Sequence, residues 1–209
     1  MTRLLLVRHG ETVWHSENRY AGSSDIELTR RGRGQAEALA EWAASAGLSA
    51  VWSSPLDRAR RTAAPCAAAA DVPHTVDERL RELDFGAAEG LTAPDMEKVL
   101  PEALVAFRHD PVAHHLPGGE DPVDAARRFT ACLDAICQAH PDGRVLVVAH
   151  TTAIRLALSQ LLGLPLFNYR RTFPSIRNCG LTEIRCSDGN VSLLQFNAPL
   201  PVASRHPAA

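Results

Sequence analysis

Two arginines and two histidines are the residues of this chain whose positions favour phosphate chemistry. Arg8 and His9 follow the first apolar run, His150 follows a later one, and Arg58 lies in the first turn of a predicted helix. A guanidinium group matches phosphate oxygens with parallel hydrogen bonds, and an imidazole can donate a hydrogen bond or attack phosphorus. Each residue taken alone is more often structural or solvated. The four fit a site for a dianionic phosphate if the fold brings them together.

Three short apolar runs predict the elements that would position these residues. Residues 4–7, 50–52 and 145–149 are typical of strands buried on both faces. Each run is followed by a helical pattern, and Thr29 is suited to cap the first helix. The alternation predicts an α/β fold with three layers, α/β/α, and a mainly parallel central sheet. Ligands bind beyond the carboxyl ends of strands in such sheets, which is where the arginines and histidines lie.

The rest of the chain predicts a helical insertion and an antiparallel edge strand. Residues 94–140 favour two helices separated by a turn-rich segment, with a helical lid insertion over about 91–121. Segments 179–186 and 191–196 resemble a hairpin that completes the sheet with one antiparallel edge strand. Residues 198–209 are rich in Pro and Ala, and we expect a flexible tail there.

Composition and charge exclude several classes of protein. The length fits a single domain over residues 1–209, with the 45% apolar and 22% charged residues of an ordinary globular protein. A net charge of -2 provides no basic field for nucleic acid. The first residues lack the apolar core typical of a signal peptide and no stretch approaches 18 apolar residues, so we expect a cytoplasmic protein without a membrane partner. Five scattered cysteines without a Cys-x-x-Cys pair predict buried thiols in a reducing compartment.

A series of motifs runs in order across nearly the whole chain. They are Leu-Val-Arg-His-Gly-Glu-Thr at 6–12, Asn18-Arg19-Tyr20, Leu28-Thr29 with Gly32, Ser53-Ser54-Pro55-Leu56 with Arg58-Ala59 and Thr62, Arg81-Glu82 with Phe85-Gly86 and Glu89-Gly90, Pro117-Gly118-Gly119-Glu120, and Val148-Ala149-His150. This ordered set resembles the histidine phosphatase superfamily, which includes cofactor-dependent phosphoglycerate mutases. The Pro-Gly-Gly-Glu segment is most similar to that of α-ribazole phosphatase and of broad-specificity small-metabolite phosphatases.

The resemblance implies a role for each matched residue. His9 would be the nucleophile that becomes phosphohistidine, and Arg8, Arg58 and His150 would hold the transferring phosphate. Glu82 would protonate the leaving oxygen and then deprotonate the water that cleaves phosphohistidine. The reaction would need no cofactor and no metal ion.

Neighbouring residues compete for two of these roles. Asp84 and Glu89 lie close to Glu82 in sequence and carry the same functional group. Arg61 lies one helical turn beyond Arg58, near the same face but farther from the start of the helix. The motif favours Arg58, and we expect Arg61 to form a surface ion pair.

The chain departs from the family pattern at two points. His15 follows Trp14 where the family typically has Trp-Asn, so an imidazole replaces a phosphate-contacting amide. Thr151 and Thr152 follow the second histidine where glycines are usual, which retains the backbone N–H groups and narrows the pocket. Together with Thr12, His15 and Thr151 complete the predicted phosphate-binding set.

A metal site is the main chemical alternative in the insertion. His114 and His115 lie near Glu120 in sequence, but adjacent histidines rarely bind one ion and no established ligand motif occurs. In the resembling family this segment covers the phosphate site, so His115 or Arg108 could touch the substrate. A solvated loop is the simpler interpretation.

Hydrolysis of a small phosphorylated metabolite is the favoured function. The family's mutases carry a longer basic insertion, whereas residues 91–116 contain only Lys98 and Arg108 as fixed positive charges. A phosphoglycerate mutase-type phosphotransferase and a non-catalytic phospho-ligand binding protein are the alternatives. Apolar residues at 161–167 fit either a homodimer contact or the buried end of a helix.

Overall fold

The computed structural model describes residues 1–187 and 189–201. The strands are β1 (Thr2–Arg8), β2 (Ala50–Ser53), β3 (His74–Val76), β4 (Arg144–Ala149), β5 (Leu181–Ser187) and β6 (Asn190–Ala198). They form a six-stranded sheet in the order β3-β2-β4-β1-β5-β6. β1 pairs in parallel with β4 and antiparallel with β5, while β2 pairs in parallel with both β3 and β4. The predicted mainly parallel sheet is confirmed.

Helices follow the strands on both faces of the sheet. They are α1 (Arg30–Ala43), α2 (Asp57–Ala70), α3 (Ala93–Val99), α4 (Pro101–His109), α5 (Pro122–Ala139), α6 (Thr151–Leu161) and α7 (Tyr169–Thr172). As predicted, Thr29 caps α1, since its side chain accepts a hydrogen bond from the Gly32 N–H. Among the described residues, no helix combines the length and the apolar character needed to cross a bilayer.

Side chains of the central strands alternate between two apolar layers, one on each face. In β1, Leu4 and Leu6 pack with α5 and α6, whereas Leu5 and Val7 pack with α1 and α2. All four are at most 1% exposed. Burying one such side chain stabilises the fold by roughly 1.5–3 kcal/mol, so these layers hold the strand ends in fixed register. The predicted α/β/α arrangement is confirmed.

The helical insertion contains one more helix than predicted. Two helices were predicted over 94–140, and the structure has three. The first predicted helix is divided at Leu100, where the chain leaves helical geometry with φ -137° and ψ 44°. Pro101 follows, and a proline disfavours helical geometry in the residue before it. Met96, Leu104 and other apolar side chains of the insertion pack in a third cluster with Phe85.

The carboxyl-terminal hairpin contributes two antiparallel strands rather than one. β5 lies inside the sheet between β1 and β6, so β6 is the edge strand of the hairpin, and β3 forms the opposite edge of the sheet. The three-residue strand β3 was not predicted, because a run that short carries no readable periodicity. Of the predicted turn, Asp188 lies outside the described residues. Most of the predicted flexible tail, from 202 onward, lies outside them too.

All five cysteines carry free thiols. Cys66, Cys132 and Cys179 are buried as predicted, and burial raises the pKa of each thiol to about 12. Cys137 and Cys186 are only partly buried and hydrogen bond to each other. The thiols of the first group are therefore protonated and poorly nucleophilic at neutral pH.

Candidate active site

The two histidines lie side by side at the carboxyl ends of β1 and β4. Arg8 pairs with Ala149 in the parallel register, so the next residues along the chain, His9 and His150, leave neighbouring strands at the same level. Their ring centroids are 5.1 Å apart. The structure thus brings together the two histidines that the strand pattern predicted.

The His9 ring is fixed in one tautomer. Its Nδ1 lies 2.7 Å from the carbonyl oxygen of Gly10, which can only accept, so Nδ1 carries the proton and Nε2 keeps its lone pair. Asn178 donates to the His9 carbonyl at 2.8 Å. Burial lowers the pKa of His9 well below its usual range, and the nearby Arg58 and Arg8 charges lower it further. His9 is therefore a neutral imidazole with a free Nε2.

His150 is fully buried beside it. Its Nε2 lies 2.8 Å from Oγ of Ser54, and its Nδ1 has no hydrogen-bond partner among the described residues. Burial, followed by the charges of Arg58 and His9, lowers the pKa of His150 well below the ordinary value. An unpaired buried ring nitrogen is costly unless a ligand satisfies it.

Arg8 is held between a backbone carbonyl and an imidazole. Its Nη1 donates to the carbonyl of Ile176 at 2.9 Å, and its Nη2 lies 2.5 Å from Nε2 of His15. Burial lowers the pKa of Arg8 to about 10, so the guanidinium stays charged at neutral pH. Its Nε is buried and has no hydrogen-bond partner in the described part of the chain.

Arg58 is almost completely buried and bonds to carbonyl oxygens. Nη1 donates to Ser24 at 2.6 Å, and Nη2 donates to Gly22 at 2.8 Å and to Ala21 at 3.3 Å. The Glu89 carboxylate holds the same loop by accepting from the N–H groups of Gly22 and Ser24. Because no carboxylate of the described chain forms an ion pair with Arg58, its charge acts on the two histidines.

Arg61 has the role predicted for it. Its Nε lies 2.5 Å from a carboxylate oxygen of Asp57, one turn earlier on α2, and its side chain is exposed. Arg61 therefore forms a surface ion pair, and it does not line the cavity that contains His9.

Glu82 lies at the amino-terminal end of α6. Its carboxylate accepts hydrogen bonds from the N–H groups of Thr152 at 3.0 Å, Ala153 at 2.8 Å and Leu83 at 2.8 Å. The side chain is buried and lines the same cavity as His9. Both competing carboxylates serve the backbone instead: Asp84 accepts from the Gly86 N–H, and Glu89 holds the loop described above.

His15, Thr12 and Thr151 also line this cavity. Nε2 of His15 lies 2.5 Å from Nη2 of Arg8, and Nδ1 of His15 lies 2.8 Å from the Thr12 hydroxyl and 3.0 Å from the Thr12 backbone nitrogen. Burial, and then the Arg8 charge, lower the pKa of His15 to about 4. The Thr151 hydroxyl is buried without a hydrogen-bond partner among the described residues.

The cavity measures about 520 Å³ and contains positively charged residues that the sequence did not single out. Arg155 lies on α6 one turn after Thr151, where its Nη2 donates to the carbonyl of Pro174. Arg170 lies over the Phe107 ring, 5.1 Å from its centroid. Neither forms an ion pair within the described chain. No motif marked them, because each is positioned by contacts with residues distant in sequence.

The insertion does not bring the histidines suggested as metal ligands to this cavity. His114 lies on a separate groove with Pro101 and Val105, and Arg108 pairs with Glu97 at 3.0 Å. His115 does not line the cavity around His9. Within the described residues, no group of three or more His, Cys, Asp or Glu side chains is arranged to hold a metal ion.

A family model described as histidine phosphatase superfamily (branch 1) matches residues 4–199. The chain belongs to the histidine phosphatase superfamily. A relative named probable phosphoglycerate mutase GpmB, from Salmonella newport, is 39% identical over 188 residues, covering 88% of this chain and 85% of the relative. The resemblance predicted from the ordered motifs is thus confirmed.

Several solved structures have the same fold as this chain. YhfR from Bacillus stearothermophilus superposes with a TM-score of 0.89 at 29% identity, over 95% of this chain and 98% of YhfR. Mycobacterial glucosyl-3-phosphoglycerate phosphatase Rv2419c, complexed with VO3, has a TM-score of 0.85 at 31% identity, over 94% and 99%. A putative alpha-ribazole-5'-P phosphatase from Escherichia coli has a TM-score of 0.85 at 25% identity, over 94% and 96%. The neighbours of this histidine phosphatase superfamily member thus include phosphatases.

Proposed function

We propose that this superfamily member is a phosphomonoesterase that hydrolyses a small phosphorylated metabolite through a phosphohistidine intermediate, without a metal ion. The observation that carries the proposal is the state of His9. Its Nδ1–H is bound to Gly10, its pKa is depressed, and its Nε2 lone pair is free. Beside it lie the charged guanidinium groups of Arg8 and Arg58. A neutral nucleophile among fixed cations suits attack on a dianion.

In the first step, Nε2 of His9 attacks phosphorus and the bond from phosphorus to the leaving oxygen breaks. Arg8, Arg58 and His150 hold the phosphoryl oxygens, and Nδ1 of His150 gains the partner that it lacks in the free protein. Glu82 gives its proton to the leaving oxygen. Glu82 enters this step as the carboxylic acid and leaves it as the carboxylate.

In the second step, the ionised Glu82 carboxylate takes a proton from water, whose oxygen attacks phosphorus. The bond between phosphorus and Nε2 breaks, which releases phosphate and restores neutral His9. Three N–H donors already support the ionised carboxylate, an arrangement that suits its role as base. The cycle needs one carboxyl group that changes its protonation state twice.

His15, Thr12 and Thr151 would complete the phosphate site. Nε2 of His15 lies against the guanidinium of Arg8, beside the cavity that contains His9. A phosphoryl oxygen bound by Arg8 would free the His15 ring to turn an N–H toward the same phosphate, and the Thr151 hydroxyl, which has no partner among the described residues, would donate to it as well. In this proposal neutral His15 replaces the amide of the family pattern as a donor.

The experiment that tests hydrolysis is turnover of p-nitrophenyl phosphate by the purified protein in the presence and absence of a chelator. We expect equal turnover in both. Loss of activity on chelation would favour a metal-dependent reaction. Absence of turnover from pH 5 to 9, with inorganic phosphate still bound, would favour a non-catalytic binding protein.

Mutase activity is the second candidate, because a relative 39% identical is named a probable phosphoglycerate mutase. Incubation with 3-phosphoglycerate and 2,3-bisphosphoglycerate separates the two reactions. We expect release of inorganic phosphate, since the insertion is short and carries few fixed positive charges. Formation of 2-phosphoglycerate at a rate exceeding phosphate release would establish the mutase.

A further inference from the structure

A partly buried ion pair lies against the backbone of the segment that contains Glu82. Arg128, on α5, donates from Nε to Glu120 at 2.6 Å and from Nη2 to the other oxygen of the same carboxylate at 2.8 Å. The two side chains are only 14% and 13% exposed. A two-pronged pair of this kind fixes the plane of the guanidinium.

The rest of the Arg128 guanidinium binds the segment that contains Glu82. Nη1 donates to the carbonyls of Arg79 at 2.7 Å and Arg81 at 2.8 Å, and Nη2 donates to the carbonyl of Glu82 itself at 3.0 Å. Three carbonyls within four residues are thus bound to one side chain. The backbone on both sides of the Glu82 Cα is thereby held from α5.

Glu120 extends this arrangement to the following residues. Its backbone N–H donates to the carbonyl of Asp84 at 3.0 Å, in addition to the two bonds that its carboxylate accepts from Arg128. The Glu82 carboxylate is held separately by the N–H groups at the start of α6. α5 therefore fixes the backbone of Glu82, while α6 fixes its carboxylate.

We propose that Arg128, oriented by Glu120, is the positioning residue for proton transfer by Glu82. The proposal rests on the proposed function, in which Glu82 is the proton donor and acceptor. A displacement of about 1 Å at a reacting group costs roughly 100-fold in rate, so a carboxyl group on an irregular segment needs such support. Lysine could not replace Arg128, because one ammonium cannot serve three carbonyls and both oxygens of a carboxylate.

The test uses R128K and two substrates that differ in their need for a proton on the leaving oxygen. p-Nitrophenyl phosphate needs little protonation, whereas β-glycerol phosphate needs it fully. We expect kcat/KM for β-glycerol phosphate to fall about 10- to 100-fold and that for p-nitrophenyl phosphate to fall less than about 3-fold. Using kcat/KM confines the comparison to formation of the phosphoenzyme. Equal loss with both substrates would overturn the proposal.

A matched control and a second variant separate positioning from general damage. R127K changes the neighbouring arginine, which is exposed and paired with Asp124, and should leave both substrates unaffected. E120Q retains the side chain's size and removes its charge, so it should reproduce the substrate-selective loss to a smaller extent. Thermal unfolding shows whether each variant is folded. If R128K does not fold, the comparison of the two substrates is made with E120Q.

Combination with E82Q shows whether Arg128 acts through Glu82. If it does, R128K should lower kcat/KM for β-glycerol phosphate by less than about 2-fold in the E82Q background. Full additivity of the two losses would overturn the proposal. If E82Q alone leaves this kcat/KM unchanged, the proton-transfer role of Glu82 fails and the positioning role fails with it. If E82Q slows the reaction and neither R128K nor E120Q does, only the positioning role fails.

Discussion

Nε2 of His15 lies 2.5 Å from the Arg8 guanidinium, and its Nδ1 accepts the Thr12 N–H. Burial and the Arg8 charge therefore keep the imidazole neutral in the folded protein, with a pKa of about 4. In the unfolded chain the ring has its ordinary value near 6.5. Between these two values the unfolded chain binds the proton and the folded protein does not.

The free energy of unfolding should therefore fall as pH decreases from about 6.5 toward 4. His9 and His150 contribute in the same direction, because their pKa values are also depressed. The free energy of unfolding of H15N should fall less over this window than that of the wild type. The two slopes of free energy against pH should differ by up to about one bound proton. Urea unfolding at pH 4.5, 5.5, 6.5 and 7.5 measures both slopes. If the free energies of unfolding of the wild type and H15N changed in parallel with pH, His15 would not have a depressed pKa in the folded protein.

Arg58 and Arg61 make a matched pair on one helix. R58A should lower kcat for p-nitrophenyl phosphate by about 100- to 1000-fold, because it removes a fixed charge beside both histidines. It should also destabilise the protein by about 1–3 kcal/mol, since three carbonyls, one of them buried, lose their donor. R61A breaks only an exposed pair and should change stability by less than about 1 kcal/mol. Comparable losses of activity in the two variants would contradict the assignment.

Two glycines in α1 have opposite surroundings. A Cβ on Gly32 would lie 2.0 Å from the carbonyl oxygen of Glu11, in the loop that follows His9. A Cβ on Gly34 would meet no atom within 4 Å. G34A should therefore raise the free energy of unfolding by about 0.5–1 kcal/mol through helix propensity, with kcat unchanged.

G32A should do the reverse, because Glu11 and the His9 loop must move to admit the methyl group. We expect a loss of more than about 1 kcal/mol of stability and a lower kcat. Thermal unfolding and p-nitrophenyl phosphate turnover measure the two effects. Improved stability in G32A would show that the close approach to Glu11 is not maintained in solution.

Strand-end residues were predictable from the sequence because burial on both faces requires continuous apolar runs. The runs before His9 and His150 are long enough to mark the ends of β1 and β4, and parallel pairing then brings the two rings together. Glu82 was identified through the order of the motifs, since nothing in its immediate sequence distinguishes it from Asp84.

The supporting contacts were not predictable in the same way. Arg58 and Arg128 bind backbone carbonyl oxygens. Every residue type has a backbone carbonyl, so the sequence does not show which residues these arginines bind. The break at Leu100 could have been read from Pro101, whereas a three-residue strand such as β3 depends on its neighbour for pairing. Sequence reasoning thus singled out Arg8, Arg58 and Glu82, and it missed Arg155, Arg170 and the contacts that hold these groups in place.

The central claim is that His9 carries the phosphoryl group during turnover. Rapid quenching of the wild type with a 32P-labelled substrate, followed by peptide mapping, tests it directly. We predict a phosphoenzyme that is acid-labile and stable to base, with the label on His9, and neither phosphoenzyme nor turnover in H9A. Label on another residue, or turnover by H9A at the wild-type rate, would contradict the account.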